Sequence, residues 1–192
     1  MRTAKIDRKT KETDIYLELC LDGIGKRQVE IGIGFLEHML ELFASHGNFD
    51  LTVKCSGDIN VDYHHTVEDI GICLGKAISK ALNDKKGIRR YASVTIPMDE
   101  ALTTVSLDLS GRPYLVYNVD ISGKSGDFDV ELIEEFFRAV STYGGITLHI
   151  NNLYGGNNHH IIESAFKAFT RALSEASEII SDNIPSSKGM LE

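Results

Sequence analysis

Cysteine is scarce in this chain, and the few present do not cluster. Cys20, Cys55 and Cys73 are odd in number and widely spaced. That excludes a disulfide framework and a thiolate zinc knuckle, and leaves reduced thiols packed as small hydrophobes. Any metal is therefore held by nitrogen and oxygen. Long apolar runs are also missing: no stretch approaches the ~20 residues of a bilayer span. The N-terminal MRTAKIDRKTKETD has no apolar signal-peptide core, so a cytoplasmic chain without a membrane partner is expected. Positive charge is in deficit. The formal net charge of −8 argues against a nucleic-acid partner. What remains is 192 residues, 42% apolar and 25% charged, enough to bury a core in one compact globular unit.

Against this background one short pattern stands out because it occurs twice. Residues 64–69 read HHTVED and residues 159–164 read HHIIES. His64, His65 and Glu68 become His159, His160 and Glu163 after an offset of 95. Imidazoles with a carboxylate, repeated at half the chain length, have the composition of a metal site.

Hydrophobic periodicity places these motifs on helices. Residues 2–9 are weakly β-like, and 14–21 alternate with a period of two, as a half-buried strand does. The turn DGIGK, residues 22–26, predicts a hairpin into a second strand, RQVEIGI. Residues 35–46 have helical spacing, with Gly47 as the stop. FDLTVKC (49–55) reads as a strand, and Asp62 can cap the helix that carries the first motif. NDKKG, residues 83–87, is a polar break. Strands follow over 92–99, 102–109 and 114–120, then a helix over 129–142, a strand over 146–150 and a long helix over 158–180. The tail from SDNIPSSKG onward has no periodicity.

The helix–strand–helix order thus recurs. Thr52 and Thr147 keep the offset of 95, and FLEHML (35–40) matches LIEEFF (132–137) at 97, so His38 faces Glu135. An internally duplicated βαβα-type unit is expected, split as residues 1–86 and 87–192. Its fold class is α+β, with the helices sandwiched between two mainly antiparallel or mixed sheets.

On a helix, residues four apart share a face and neighbours diverge by about 100°. His64 and Glu68 can meet one ion while His65 points elsewhere, and the second motif behaves alike. The simplest arrangement is two ions, each drawing on both motifs. His38 and Glu135 join the six motif residues, leaving open coordination positions for catalysis. Imidazole and carboxylate without thiolate suits Mn²⁺, and also Fe²⁺ or Zn²⁺. His149, on a strand, reads as structural, and His46, at a helix C-terminus, as a cap. Lys167 lies four residues after Glu163, on the ligand face. A cation beside the site on an acidic chain suggests an anionic substrate such as a phosphate ester.

FLEHMLELFASHG, DYHHTVEDIGICLG, MDEALTTVSLDLSGRPYLVY, GGNNHHIIESAFKAFTRAL and IPSSKG together resemble the imidazoleglycerol-phosphate dehydratase family, in its monofunctional form. The resemblance runs from residue 11 to residue 189. It implies helices from both halves held between two sheets, a di-manganese site, and a homo-oligomer of 24 subunits built from trimers, with metals at subunit contacts. The implied ligands are His38, His64, His65, Glu68, His159, His160 and Glu163, with Glu135 where some relatives have histidine. Arg90, Arg112, Lys167, Ser186, Ser187 and Lys188 would hold the substrate phosphate. Glu12 would lie near the glycerol hydroxyls, and His46 near the substrate. The implied reaction converts D-erythro-imidazole-glycerol phosphate to imidazole acetol phosphate and water in histidine biosynthesis. Proton transfer is expected from carboxylates, with Glu12 first and Glu68 and Glu163 as further candidates.

Two other readings use the same residues. A di-metal phosphoesterase would release inorganic phosphate. A structural or storage metalloprotein would lose its assembly on chelation without any turnover to lose.

Overall fold

A computed structural model describes residues 1–187. The first half runs β1 (Thr3–Lys9), β2 (Thr13–Cys20), β3 (Arg27–Glu30), α1 (Gly34–Gly47), β4 (Asp50–Gly57) and α2 (His64–Leu82). The second runs β5 (Tyr91–Met98), β6 (Ala101–Asp108), β7 (Tyr114–Asn118), β8 (Lys124–Ser125), β9 (Phe128–Asp129), α3 (Leu132–Gly144), β10 (Thr147–Tyr154) and α4 (Asn158–Ser177). No helix among the described residues is long and apolar enough to cross a membrane.

The two sheets have the same plan. One has the order β1-β2-β4-β3 and the other β5-β6-β10-β7. In each, the first three strands are antiparallel and the last joins in parallel. This is the α+β duplication expected, with a β-hairpin added in front of each βαβα unit. The hairpin forecast between β2 and β3 does not form, because β3 pairs with β4. Asp50 accepts hydrogen bonds from the Ile24 and Lys26 amides at 2.8 and 2.9 Å, pinning the turn to the start of β4. A Cβ at Gly23 would lie 2.3 Å from the Asp50 backbone nitrogen, so only glycine permits this approach.

The repeat offset is not uniform. Helices α1 and α3 end on the left-handed residues Asn48 and Gly145, and the strands that follow start at Asp50 and Thr147. The offset of 97 therefore persists through the strands. It falls to 95 only in the segment before each motif, 58–63 against 155–158, so the Thr52–Thr147 alignment moves by two residues. The segment before α3 is longer than its counterpart and carries β8 and β9. Helix α4 stops at Ser177 rather than 180, because the chain leaves it to pair with residues 87–90. Arg89 and Arg90 donate amide hydrogen bonds to the Glu178 and Ala176 carbonyls, and Ile88 bridges Ile179.

The helices cross between the halves. Helix α1 packs on α4, and α2 packs on α3, while α2 covers β1 and β2, and α4 covers β5 and β6. One buried cluster fills the space between the sheets. In α1 the buried face is Leu36, Met39, Leu40, Phe43, Ala44 and Gly47; in α3, at the same offset, it is Ile133, Phe136, Phe137, Val140, Ser141 and Gly144. That spacing makes both helices amphipathic and fixes which side faces solvent.

Close approach of α2 to α3 depends on two glycines. A Cβ on Gly71 would meet the Phe136 carbonyl oxygen at 2.7 Å, and one on Gly75 would meet the Val140 oxygen at 2.8 Å and the Gly144 nitrogen at 2.9 Å. These are backbone atoms, which cannot step aside alone. Gly75→Ala gains up to ~1 kcal/mol of helix propensity, but overpacking costs about 1–3 kcal/mol. A net fall in thermal midpoint is expected, and calorimetry checks it.

The cysteines meet expectation. All three are free, Cys20 and Cys73 buried and Cys55 half-buried. Burial pushes the thiols of Cys55 and Cys73 up to about 11. At pH 8 only about one in a thousand of each is thiolate, so a disulfide reagent should label them slowly in the native protein and fast in denaturant.

Candidate metal centre

The second motif starts where α4 starts. Asn157 caps the helix, its side chain accepting from the His159 amide at 2.8 Å and the His160 amide at 3.4 Å. The cap fixes the first turn, so His159 and Glu163 lie one above the other. The His159 Nε2 is 3.3 Å from Glu163 Oε2. His38, from the α1 face turned toward α4, brings its Nε2 to 3.6 Å from the same oxygen. The donor atoms of His38, His159 and Glu163 all lie within 4.8 Å of one another. Two imidazoles and a carboxylate, without thiolate, fit a divalent cation of the Mn²⁺, Fe²⁺ or Zn²⁺ kind.

Glu163 is buried, at 7% exposure. Burial works to raise its pKa, but the hydrogen bond and charge of Lys167, with His38 and His159 beside it, prevail and hold it below the ordinary range. The Lys167 ammonium lies 2.5 Å from Glu163 Oε1, leaving Oε2 for the histidines. Phe35 meets the His159 ring edge-on at 5.3 Å and stacks on Phe128 at 5.0 Å. The β8–β9 strand pair therefore buttresses this cluster through Phe128.

The corresponding group of the first motif is less assembled. His64 Nε2 lies 3.8 Å from Glu68 Oε2 on α2. Glu135, on α3 opposite His38 in the repeat, lies 3.7 Å from Arg138 on its own helix, and no ion pair among the described residues joins it to His64. Nor does the His38–His159–Glu163 cluster take a ligand from the first motif of the same chain. The reason lies in the packing: α1 lies against α4, not against α2.

His65 and His160 turn away from their neighbours, as helix geometry requires. Their rings stand at 87° and 80° to those of His64 and His159. Each is held through Nδ1, His65 by Asp58 at 2.9 Å and His160 by Glu100 at 2.7 Å. These carboxylates raise the pKa of both histidines, chiefly through the hydrogen bond, and the His160 contact helps bring Glu100 down to about 2.

The remaining expected residues are distributed as follows. Glu12 is exposed, with Oε1 4.0 Å from His65 Nε2. Its amide donates to Thr10 Oγ1, and Thr13 Oγ1 donates to the buried Asp69 on α2 at 2.5 Å, so its loop is tied to the motif helix. His46 is half-buried, and burial, followed by the charges of Lys167 and Arg171, lowers its pKa. Arg90, at φ 82°, forks onto Asp108 at 2.8 and 3.0 Å and donates to the Pro185 carbonyl at 2.9 Å, which fastens the tail. Arg112 is exposed in its turn, and Ser187 is exposed beyond Pro185. The Ser186 amide donates to the Ile184 carbonyl. Lys188 lies outside the described residues.

Three carboxylates beside the motifs escaped the sequence reading: Asp58, Glu100 and Asp99, whose Oδ2 is 3.7 Å from His160 Nε2. MDE reads only as a turn in isolation. The signal that would have found Glu100 is the repeat: it precedes β6 as Glu12 precedes β2.

The sequence profile of imidazoleglycerol-phosphate dehydratases matches residues 31–173. A relative of that name from Thermodesulfovibrio yellowstonii is 58% identical over 100% of both chains. One from Alkaliphilus metalliredigens is 58% identical over 99% of each. Among solved structures, the imidazoleglycerol-phosphate dehydratase of Staphylococcus aureus superposes with a TM-score of 0.83 at 43% identity, over 91% of this chain and 97% of the other. That of Pyrococcus furiosus, solved with (S)-C348, gives 0.85 at 37% identity, over 97% and 100%. Profile, full-length identity and fold agree, and the chain belongs to the imidazoleglycerol-phosphate dehydratase family.

Proposed function

We propose that the family's dehydration runs in this chain at a metal centre built from the two doubled motifs. The activity follows from membership: a carbon–oxygen lyase of histidine biosynthesis that acts on imidazole-glycerol phosphate. The observation that carries the site assignment is the convergence of His38, His159 and Glu163 from opposite halves of the chain. His64, Glu68 and Glu135 are the matching group, with Glu135 turning from Arg138 to ligate.

Bound divalent cations, read as two Mn²⁺, supply Lewis-acid stabilisation of negative charge on the substrate's imidazole ring. The chain's own residues do the rest. Arg112, Arg90 and Lys167, with Ser186, Ser187 and Lys188, hold the phosphate. Glu12, exposed beside His65, handles the proton of the departing hydroxyl. If Glu12→Gln turns over at the normal rate, that role is wrong.

His65 and His160 present Nε2 away from their own chain's clusters, which supports ligation across a subunit contact. The outer face of the second sheet supports self-association. It carries the uncharged pairs Ser93–Ser106, Thr95–Thr104 and Asn118–Asn151, with Tyr91 and Tyr114 exposed. The first sheet carries charged pairs instead: Lys5–Glu18, Lys9–Asp14 and Lys54–Glu30. Charge depletion with exposed tyrosine is the composition of a contact surface. We read the assembly as a cytoplasmic homo-oligomer of trimers.

The test combines product and metal. Turnover of imidazole-glycerol phosphate should yield imidazole acetol phosphate with the phosphate retained. Chelation should abolish turnover and lower the particle mass, and Mn²⁺ should restore both. Release of inorganic phosphate would instead favour the phosphoesterase reading.

A further inference from the structure

The second histidine of each motif has the same unusual support, reached by two routes. His65 Nδ1 meets Asp58, which lies just after β4, and His160 Nδ1 meets Glu100, in the turn between β5 and β6. These positions are unrelated in the repeat. Glu100 corresponds instead to Glu12, since each residue immediately precedes the second strand of its half. In the first half, Asp58 takes Nδ1 and Glu12 stands 4.0 Å from Nε2. In the second half, Glu100 takes Nδ1 and Asp99 stands 3.7 Å from Nε2.

We propose that Asp58 and Glu100 are positioning residues: each accepts the Nδ1–H of its histidine and so turns a bare Nε2 outward as the ligating atom. The inference rests on the metal reading above. A casual surface ion pair is worth little and has no reason to recur. Here the contact recurs on unrelated chain segments, and both residues are held in place, Asp58 through its backbone and Glu100 through its carboxylate. The Asp58 amide donates to the Glu12 carbonyl at 3.0 Å. Glu100 Oε1 accepts from the Gly156 and Asn157 amides at 3.1 and 2.8 Å, leaving Oε2 for His160. A carboxylate on the far nitrogen fixes the tautomer, sets the ring plane and raises ligand basicity.

The arrangement also separates two carboxylates that the repeat would make equal. Glu100 is committed to a ring nitrogen, whereas Asp58 relieves Glu12 of that duty and leaves it available to substrate.

The experiment titrates metal-free wild type, Asp58→Asn and Glu100→Gln with Mn²⁺, reading free ion by electron paramagnetic resonance. Each variant is expected to bind 10- to 100-fold more weakly. Ring ¹⁵N shifts of the metal-free proteins provide a readout that a merely structural role would not move. His65 and His160 should each show a protonated Nδ1 and a bare Nε2 in wild type, and the variant's own histidine should lose that preference. Should Glu100→Gln fail to fold because the loop before α4 loosens, the Asp58 arm and the wild-type tautomers decide. Wild-type affinity in the variants, or a protonated Nε2 in wild type, overturns this inference alone. Wild type that binds no divalent metal overturns the metal reading and this inference together.

Discussion

Glu163→Ala should strip the chain of one metal and of measurable turnover. Loss of a residue that only supports a ligand costs about 10- to 100-fold in affinity or activity. In the proposed site Glu163 is a ligand itself, with Oε2 3.3 Å from His159 and 3.6 Å from His38, so its loss should cost more. The substitution does a second thing. It strands the Lys167 ammonium, whose side chain is 19% exposed and has Glu163 as its carboxylate partner. An unsatisfied buried polar group costs about 1–3 kcal/mol, so the thermal midpoint should fall as well. Glu163→Gln separates the effects by keeping the shape and removing the charge. Metal content per subunit, kcat and calorimetry read all three. Full metal content in both variants would sink the assignment.

Phe166→Ala should be the most damaging core change close to the site. Phe166 is buried on α4, one turn beyond Glu163. Its ring lies 5.3 Å from Phe136 and 4.9 Å from Phe137, both on α3. It therefore binds the two helices of the second half to each other. Truncation of a buried phenylalanine costs about 3–5 kcal/mol through lost burial and the cavity left behind. For a chain of this length that is a fall of about 6–20 °C in thermal midpoint. Metal affinity should fall less than in Glu163→Ala, because the ligand atoms remain. An unchanged midpoint would show that the aromatic cluster collapses to fill the space.

Much of the architecture was legible because duplication writes the same pattern twice. The motif spacing, the buried faces of α1 and α3, and the strand alternation are all local, and local periodicity survives in sequence. What escaped was set by partners distant in the chain. Strand β3 looks like the return of a hairpin, yet Asp50 draws it beside β4. The two-residue strands β8 and β9 are too short to show any period. His38, Glu163 and Lys167 were legible by residue type and spacing. That His38 would join the second motif and not the first depended on helix packing, which no spacing within either half reveals. Asp58 and Asp99 became visible only in the folded loops around the motif histidines, and Glu100 left one trace in the sequence, its match to Glu12 in the repeat.

The crossed pairing of helices has a consequence for synthesis of the chain. His38 emerges from the ribosome early, while His159 and Glu163 belong to the last helix made. In the proposed site His64 and Glu68 likewise wait for α3 and Glu135. A nascent chain thus carries the proposed ligands without a completed cluster until translation is nearly finished. Premature capture of a stray cation is disfavoured by topology alone, and an occupied centre certifies that both halves have been made and have closed on each other.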